Sequence, residues 1–185
     1  MDLAAVILAG GTAARLDGAD KASIEVAGRT LLEHVLVASS AAREVVVVGD
    51  EVPTSRPVTF TRESPPLGGP VAGIVAGVAA LARRPDLLLV VAVDMPRLTP
   101  ETVDRLVDAA TALPARDGAF LHDDTGRRQL AGVLTRSGIA ALPSAEGAHG
   151  RSVRSLVSGL DLAAVPAVDD EAADVDSWAD LERLR

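Results

Sequence analysis

The 185-residue chain has no cysteine, no tyrosine and no asparagine. Without thiols it has no disulfide, no zinc–thiolate centre and no cysteine nucleophile. Aromatic residues make up only 2% of it, so any core has to be aliphatic. Lysine is nearly absent too: among 18 basic residues Lys21 is the one lysine, and the others are arginine. The formal charge of −8 argues against a nucleic-acid binder, which would show a basic patch or stripe. The longest strongly apolar runs, Leu87 to Val93 and the Ala/Val stretch Val71 to Ala82, fall short of the roughly 18 residues of a membrane span. Met1-Asp2 leads directly into an apolar run with no basic n-region before it, so a soluble, cytoplasmic protein is expected.

Hydrophobic residues supply 48% and charged residues 24%, enough to bury a core and keep the surface soluble. The length suits one domain on the usual prior of about 100–200 residues. Leu3 to Ala9 is a continuous apolar run ending on Gly10-Gly11, as in a strand buried on both faces. Thr30 to Ala42 has helical spacing, and Val45 to Val48 reads as a second buried strand. Val58 to Thr61 suits a third. Pro70 fits the first turn of a helix running to Arg83-Arg84. Leu87 to Val93 is the clearest strand, and Thr99-Pro100 starts another helix as N-cap and first residue. Alternating strands and helices at this spacing imply βαβ units and a mostly parallel sheet. Beyond residue 115, Gly118 to His122 and Gln129 to Thr135 suggest strands around a turn at Asp123–Gly126. Helical pieces near Gly138–Leu142 and Ser152–Leu160, a strand at Leu162–Val165 and a last helix with Trp178 in the core complete the expectation.

The segment LAGGTAARLDGADK, Leu8 to Lys21, follows the first strand. A glycine-rich turn there lets bare backbone approach phosphates. It is not a Walker A loop, because Lys21 stands between Asp20 and Ala22, and the spacing of Gly10, Gly11 and Gly18 is not that of a dinucleotide fingerprint. Two glycines alone would mean an ordinary strand-to-helix turn. Arg15 and Lys21 on the same loop point toward phosphate, since a turn needs no cations.

This pattern, LAGG-x-x-x-R-x-x-G-x-D-K, resembles the signature of the molybdenum cofactor guanylyltransferases within the wider nucleotidyltransferase superfamily. Gly69 to Gly73 (GPVAG), Asp94-Met95-Pro96, Gly126 to Val133 (GRRQLAGV) and Asp174 to Leu181 are similar to further family motifs, so the resemblance spans nearly the whole chain. It departs at Asp17, where many members have glycine, at Gln129-Leu130, which lacks a proline, and at Asp174 and Asp176, where the family has asparagines. The resemblance implies a single three-layer α/β/α nucleotidyltransferase domain over 1–185, with a mostly parallel, Rossmann-like sheet. Residues 1–115 would form the nucleotide-binding half and 116–185 the acceptor-binding half.

What the resemblance implies chemically is transfer of GMP from Mg²⁺-GTP to the phosphate of molybdopterin cofactor, with release of pyrophosphate. Such a transfer needs positioning and charge stabilisation more than acid–base work. Leu8, Ala9, Gly10 and Gly11 would cradle the nucleotide, while Arg15 and Lys21 hold the triphosphate. Asp94 would ligate Mg²⁺ and serve catalysis with Lys21 and Arg15; its plain alternative is a turn aspartate. Asp176 would be a second metal ligand, the N-cap of the last helix, or both. Glu63 stands where the family binds guanine, whose N1–H and N2–H₂ a carboxylate can accept, or it is an exposed loop residue. Arg62 is a phosphate contact or a surface residue. His34, His122 and His149 lack metal-ligand spacing, and Asp123-Asp124 reads as a solvated turn. Transient contact with proteins that deliver and receive the cofactor is implied, with no nucleic-acid or membrane partner. A CTP-dependent cofactor cytidylyltransferase or another small-molecule nucleotidyltransferase, and a catalytically silent nucleotide-binding regulator, are the rival readings. The Gly10-Gly11 pair and the presence of Arg15, Lys21 and Asp94 argue against them.

Overall fold

The computed structural model describes residues 1–10 and 20–183. Elements run in chain order: β1 (Leu3–Leu8), a 3-10 turn (Lys21–Ser23), β2 (Glu25–Val26), β3 (Arg29–Thr30), α1 (Leu31–Ala38), β4 (Glu44–Val48), β5 (Thr59–Thr61), α2 (Pro70–Ala80), β6 (Leu87–Ala92) and α3 (Pro100–Thr111). Then come β7 (Gly118–His122), β8 (Arg128–Thr135), α4 (Arg136–Ala140), α5 (Ala145–Ala148), α6 (Val153–Val157), β9 (Leu162–Pro166) and α7 (Trp178–Arg183).

Among the described residues, seven strands form one sheet in the order β5-β4-β1-β6-β8-β7-β9. Pairs β5–β4, β4–β1, β1–β6 and β7–β9 are parallel, whereas β8 runs antiparallel to both β6 and β7. The uninterrupted apolar runs follow from burial on both faces. In β1, Leu3, Ala5 and Ile7 face the layer of α1 and α3, while Ala4, Val6 and Leu8 face that of α2 and α6. β4 and β6 divide their residues in the same way. The result is a three-layer α/β/α arrangement. Each fully buried Val, Leu or Ile contributes about 1.5–3 kcal/mol relative to exposure.

Local chemistry sets the boundaries. Thr99 caps α3 through a reciprocal hydrogen-bond pair with Thr102, and Pro100 occupies the first turn. Thr30 caps α1 by accepting from the N–H of Glu33, and this helix ends at Ala38, short of the expected Ala42. α2 ends at Ala80, where Leu81 turns extended ahead of Pro85. It lies close against β1, because a Cβ on Gly77 would come within 2.5 Å of a Val6 methyl. The β2–β3 hairpin, turning through Ala27 and Gly28 at φ of 49° and 79°, and the four-residue α5 were not anticipated. Trp178 is not a core residue: it is 48% exposed. It opens the short α7, whose buried contact is Leu181.

Candidate active site

The chain leaves the carboxyl end of β1 toward β4 on one side, and that of the adjacent parallel β6 toward β7 and β8 on the other. Open α/β sheets bind ligands in the crevice formed at such a point. Gly10 follows β1 there and Asp94 follows β6, and the strands are bridged by Val93 N–H donating to the Leu8 carbonyl at 3.0 Å.

Lys21 reaches the same edge from the 3-10 turn. Asp20 caps that turn, accepting from the N–H of Ala22 at 3.1 Å and the hydroxyl of Ser23 at 2.8 Å. The Lys21 ammonium donates to Asp94 Oδ2 and to Asp176 Oδ1, each at 2.9 Å. Burial works against the charged ammonium, but hydrogen bonds to the two carboxylates and their charges outweigh it and raise its pKa. Lys21 and Asp94 side chains are 19% and 22% exposed, so this pair is shielded more than a surface ion pair.

The carboxylates of Asp174 and Asp176 arrive on the strap between β9 and α7. Val175, fully buried, donates its N–H to the Asp94 carbonyl at 2.9 Å. The N-cap of α7 is Ser177, not Asp176. Asp180 accepts from the N–H of Ser177 at 2.8 Å and of Asp176 at 3.1 Å, while Ser177 Oγ accepts from the Asp180 N–H at 3.3 Å. This reciprocal cap leaves the Asp176 side chain for Lys21. The hydroxyl of Ser177 leads the interactions that lower the Asp180 carboxyl to about 2. Desolvation, followed by the charges of Asp176 and Asp94, raises the pKa of Asp174.

A cavity of about 770 Å³ opens beside these residues, lined by Asp94, Asp174 and Asp176 and by Arg127, Arg128 and Arg154 among others. Gln129 and His122 also line it. Asp123 builds the adjoining β7–β8 turn, accepting from the N–H groups of Thr125 and Arg127 at 3.0 and 2.9 Å and from Gln129 Nε2 at 2.8 Å. The sequence offered one signal for this wall, the Arg127-Arg128 pair after Gly126; Arg154 and His122 carried none.

The structure therefore brings Lys21, Asp94 and Asp176 together and places Leu8, Ala9 and Gly10 at the neighbouring strand end. The N–H groups of Ala9 and Gly10 both donate to the Val48 carbonyl at 2.9 Å, so in this state they bind β4. Glu63 lies elsewhere on the sheet edge, after β5 and beyond β4, outside the cavity lining. Arg62 pairs with Asp50 at the surface. Gly11 and Arg15 lie outside the described residues, as does Asp17. His34 Nε2 contacts the Val26 carbonyl at 2.9 Å, and His149 is exposed. Two converging carboxylates suit a hard divalent cation that keeps water and phosphate in its remaining positions. Among the described residues no three His, Cys, Asp or Glu side chains are arranged to hold a metal by themselves. Nor is any helix of these residues long and apolar enough to cross a membrane.

A family model for the MobA-like NTP transferase domain matches residues 5–165. The molybdenum cofactor guanylyltransferase of Acidiphilium cryptum is 35% identical over 129 residues, 65% of this chain and 64% of that protein, so the match spans less than two thirds of the relative's length. A probable molybdenum cofactor guanylyltransferase of Mycobacterium bovis is 31% identical over 175 residues, 90% of this chain and 85% of that protein. Among solved structures, molybdopterin-guanine dinucleotide biosynthesis protein A from Archaeoglobus fulgidus has a TM-score of 0.73 at 21% identity, covering 98% of this chain and 96% of that one. A Mycobacterium tuberculosis protein in complex with manganese has a TM-score of 0.72 at 17% identity, covering 100% and 98%. At those identities the structural likeness establishes the fold. The family model and the mycobacterial relative establish that the chain belongs to the MobA-like NTP transferase domain family.

Proposed function

We propose that the chain transfers GMP from GTP, with Mg²⁺, to the terminal phosphate of molybdopterin cofactor. The observation that carries the proposal is the convergence of Lys21, Asp94 and Asp176 at the strand ends, beside a cavity walled by arginines. A phosphate oxygen of the pterin attacks the α-phosphorus in line, a new P–O bond forms, and the bond to the β-phosphate oxygen breaks to release pyrophosphate. The nucleophile is already an anion, so no side chain has to remove a proton, and positioning and charge carry the rate.

Residues 1–115 of the single domain hold the nucleotide in this reading. Gly10 and Gly11 leave the backbone bare beside Leu8 and Ala9, and Arg15 and Lys21 grip the triphosphate. Glu63, beyond β4, accepts the guanine N–H groups. Asp94 and Asp176 hold Mg²⁺, which when bound neutralises charge on the triphosphate. Lys21 bridges both carboxylates in the structure; with Mg²⁺ held by Asp94 and Asp176, its ammonium would be available for phosphate oxygens. Residues 116–185 hold the acceptor. There Arg127, Arg128 and Arg154 give a protein of charge −8 a local attraction for a phosphate monoester. The same reading places the protein in the cytoplasm, in transient contact with the proteins that supply and receive the cofactor.

Calorimetric titration with GTP, CTP and ATP, with and without Mg²⁺, tests the nucleotide assignment. GTP should bind tightest and need the metal for full affinity; clearly tighter CTP binding overturns the guanylyl reading.

A further inference from the structure

Glu171 is the one acidic residue that is buried among the described residues, at 8% exposure, although it sits in an acidic run. Its carboxylate is saturated with donors. Oε1 accepts from the Thr102 hydroxyl at 2.5 Å and from Arg105 Nη1 at 3.0 Å. Oε2 accepts from Arg105 Nη2 at 2.6 Å and from the N–H of Val168 at 2.9 Å. Thr102 and Arg105 belong to the first turns of α3, whose start follows Asp94 by a short loop. Glu171 lies on the strap between β9 and α7, ahead of Asp174 and Asp176. The network thus ties together the two chain segments that carry the site's carboxylates, and the Val175 N–H to Asp94 carbonyl bond ties them a second time at 2.9 Å.

A tie is needed there because the carboxylates oppose one another. Among the described residues, the Lys21 ammonium, 2.9 Å from each, is the single cation seated between the carboxylates of Asp94 and Asp176. We propose that Glu171 is the positioning residue that sets the separation of Asp94 and Asp176, and thereby the affinity of the site for a divalent cation. It touches neither metal nor substrate; it acts through Asp176. The proposal rests on the reading of Asp94 and Asp176 as metal ligands.

The test is a titration of the full chain with Mn²⁺ alone, followed by calorimetry or electron paramagnetic resonance, with thermal unfolding measured in parallel. Glu171→Gln keeps the shape but puts an amide N–H against the donors. It should weaken Mn²⁺ binding roughly tenfold, the lower end of what outer partners of metal ligands cost. Arg105→Gln should do the same, and Arg105→Lys should restore part of the affinity. In an Asp176→Asn background, Glu171→Gln should add little, because the carboxylate it positions is gone. A lowered unfolding temperature with unchanged Mn²⁺ affinity in Glu171→Gln and Arg105→Gln overturns the proposal, as does full additivity with Asp176→Asn. If Asp176→Asn itself leaves Mn²⁺ affinity intact, the metal-ligand reading has failed, and the proposal falls with it. Should Glu171→Gln not fold, the two Arg105 variants decide the matter alone.

Discussion

The Lys21 ammonium lies 2.9 Å from Asp94 Oδ2 and 2.9 Å from Asp176 Oδ1, joining residues 73 and 155 positions away in the chain. One cation thereby bridges two carboxylates brought in by different elements, leaving the triad one net negative charge, at the sheet edge where a ligand crevice is expected.

Replacing Lys21 by Arg keeps the charge but substitutes a broad planar fork for a compact ammonium on a flexible stem. Turnover should fall about a hundredfold, equivalent to ~2.7 kcal/mol of transition-state stabilisation, with the fold intact by circular dichroism. Lys21→Ala should lose turnover as well, yet bind Mn²⁺ alone more tightly, since two carboxylates are left without their counter-ion. Near-normal turnover in Lys21→Arg removes the lysine from the mechanism.

Asp94→Asn should abolish turnover and weaken Mn²⁺ binding while the strap stays docked. The Val175 N–H bonds the backbone carbonyl of Asp94, which the substitution leaves in place. Steady-state kinetics and a thermal melt of the same preparation separate the two effects.

Acid should unfold the protein partly through Glu171. Burial disfavours its charge, but Arg105, Thr102 and the Val168 N–H more than compensate and hold its pKa below the ordinary 4.5. The unfolded chain therefore takes up this proton at higher pH than the folded one. The stabilisation is complete above the unfolded value and is lost as pH falls through the folded value. Thermal melts between about pH 6 and pH 3, spanning the ordinary carboxylate range, should show a shallower decline in Glu171→Gln than in the wild type.

Gly77→Ala should lower stability by ~1–3 kcal/mol, the usual cost of overpacking. The added Cβ would meet Val6 methyls at 2.5 and 2.9 Å, across the contact that seats α2 on β1. Urea denaturation midpoints check it.

Much of this architecture was legible because burial on both faces writes itself as continuous apolar runs, as in Leu3–Leu8 and Leu87–Ala92. Thr99-Pro100 marked a helix start through chemistry confined to three residues. The β2–β3 hairpin escaped because two-residue strands have no period, and Ala27 is a poor advertisement for a left-handed turn. Lys21 and Asp94 stood out by scarcity and by position at a strand end. Glu171 did not, since within Asp169 to Asp176 it reads as one more solvated charge; only its distant contact with Thr102 and Arg105 distinguishes it. Trp178 shows the converse: its size argues for the core, but the short α7 buries Leu181 instead.

The most direct test is pyrophosphate release from GTP with Mg²⁺ and purified molybdopterin cofactor, measured for the wild type and for Asp176→Asn. The wild type should release pyrophosphate only when the pterin is present, with GTP far better than CTP, and Asp176→Asn should be severely impaired. No release with the complete mixture, a preference for CTP, or an Asp176→Asn variant as active as the wild type contradicts the account.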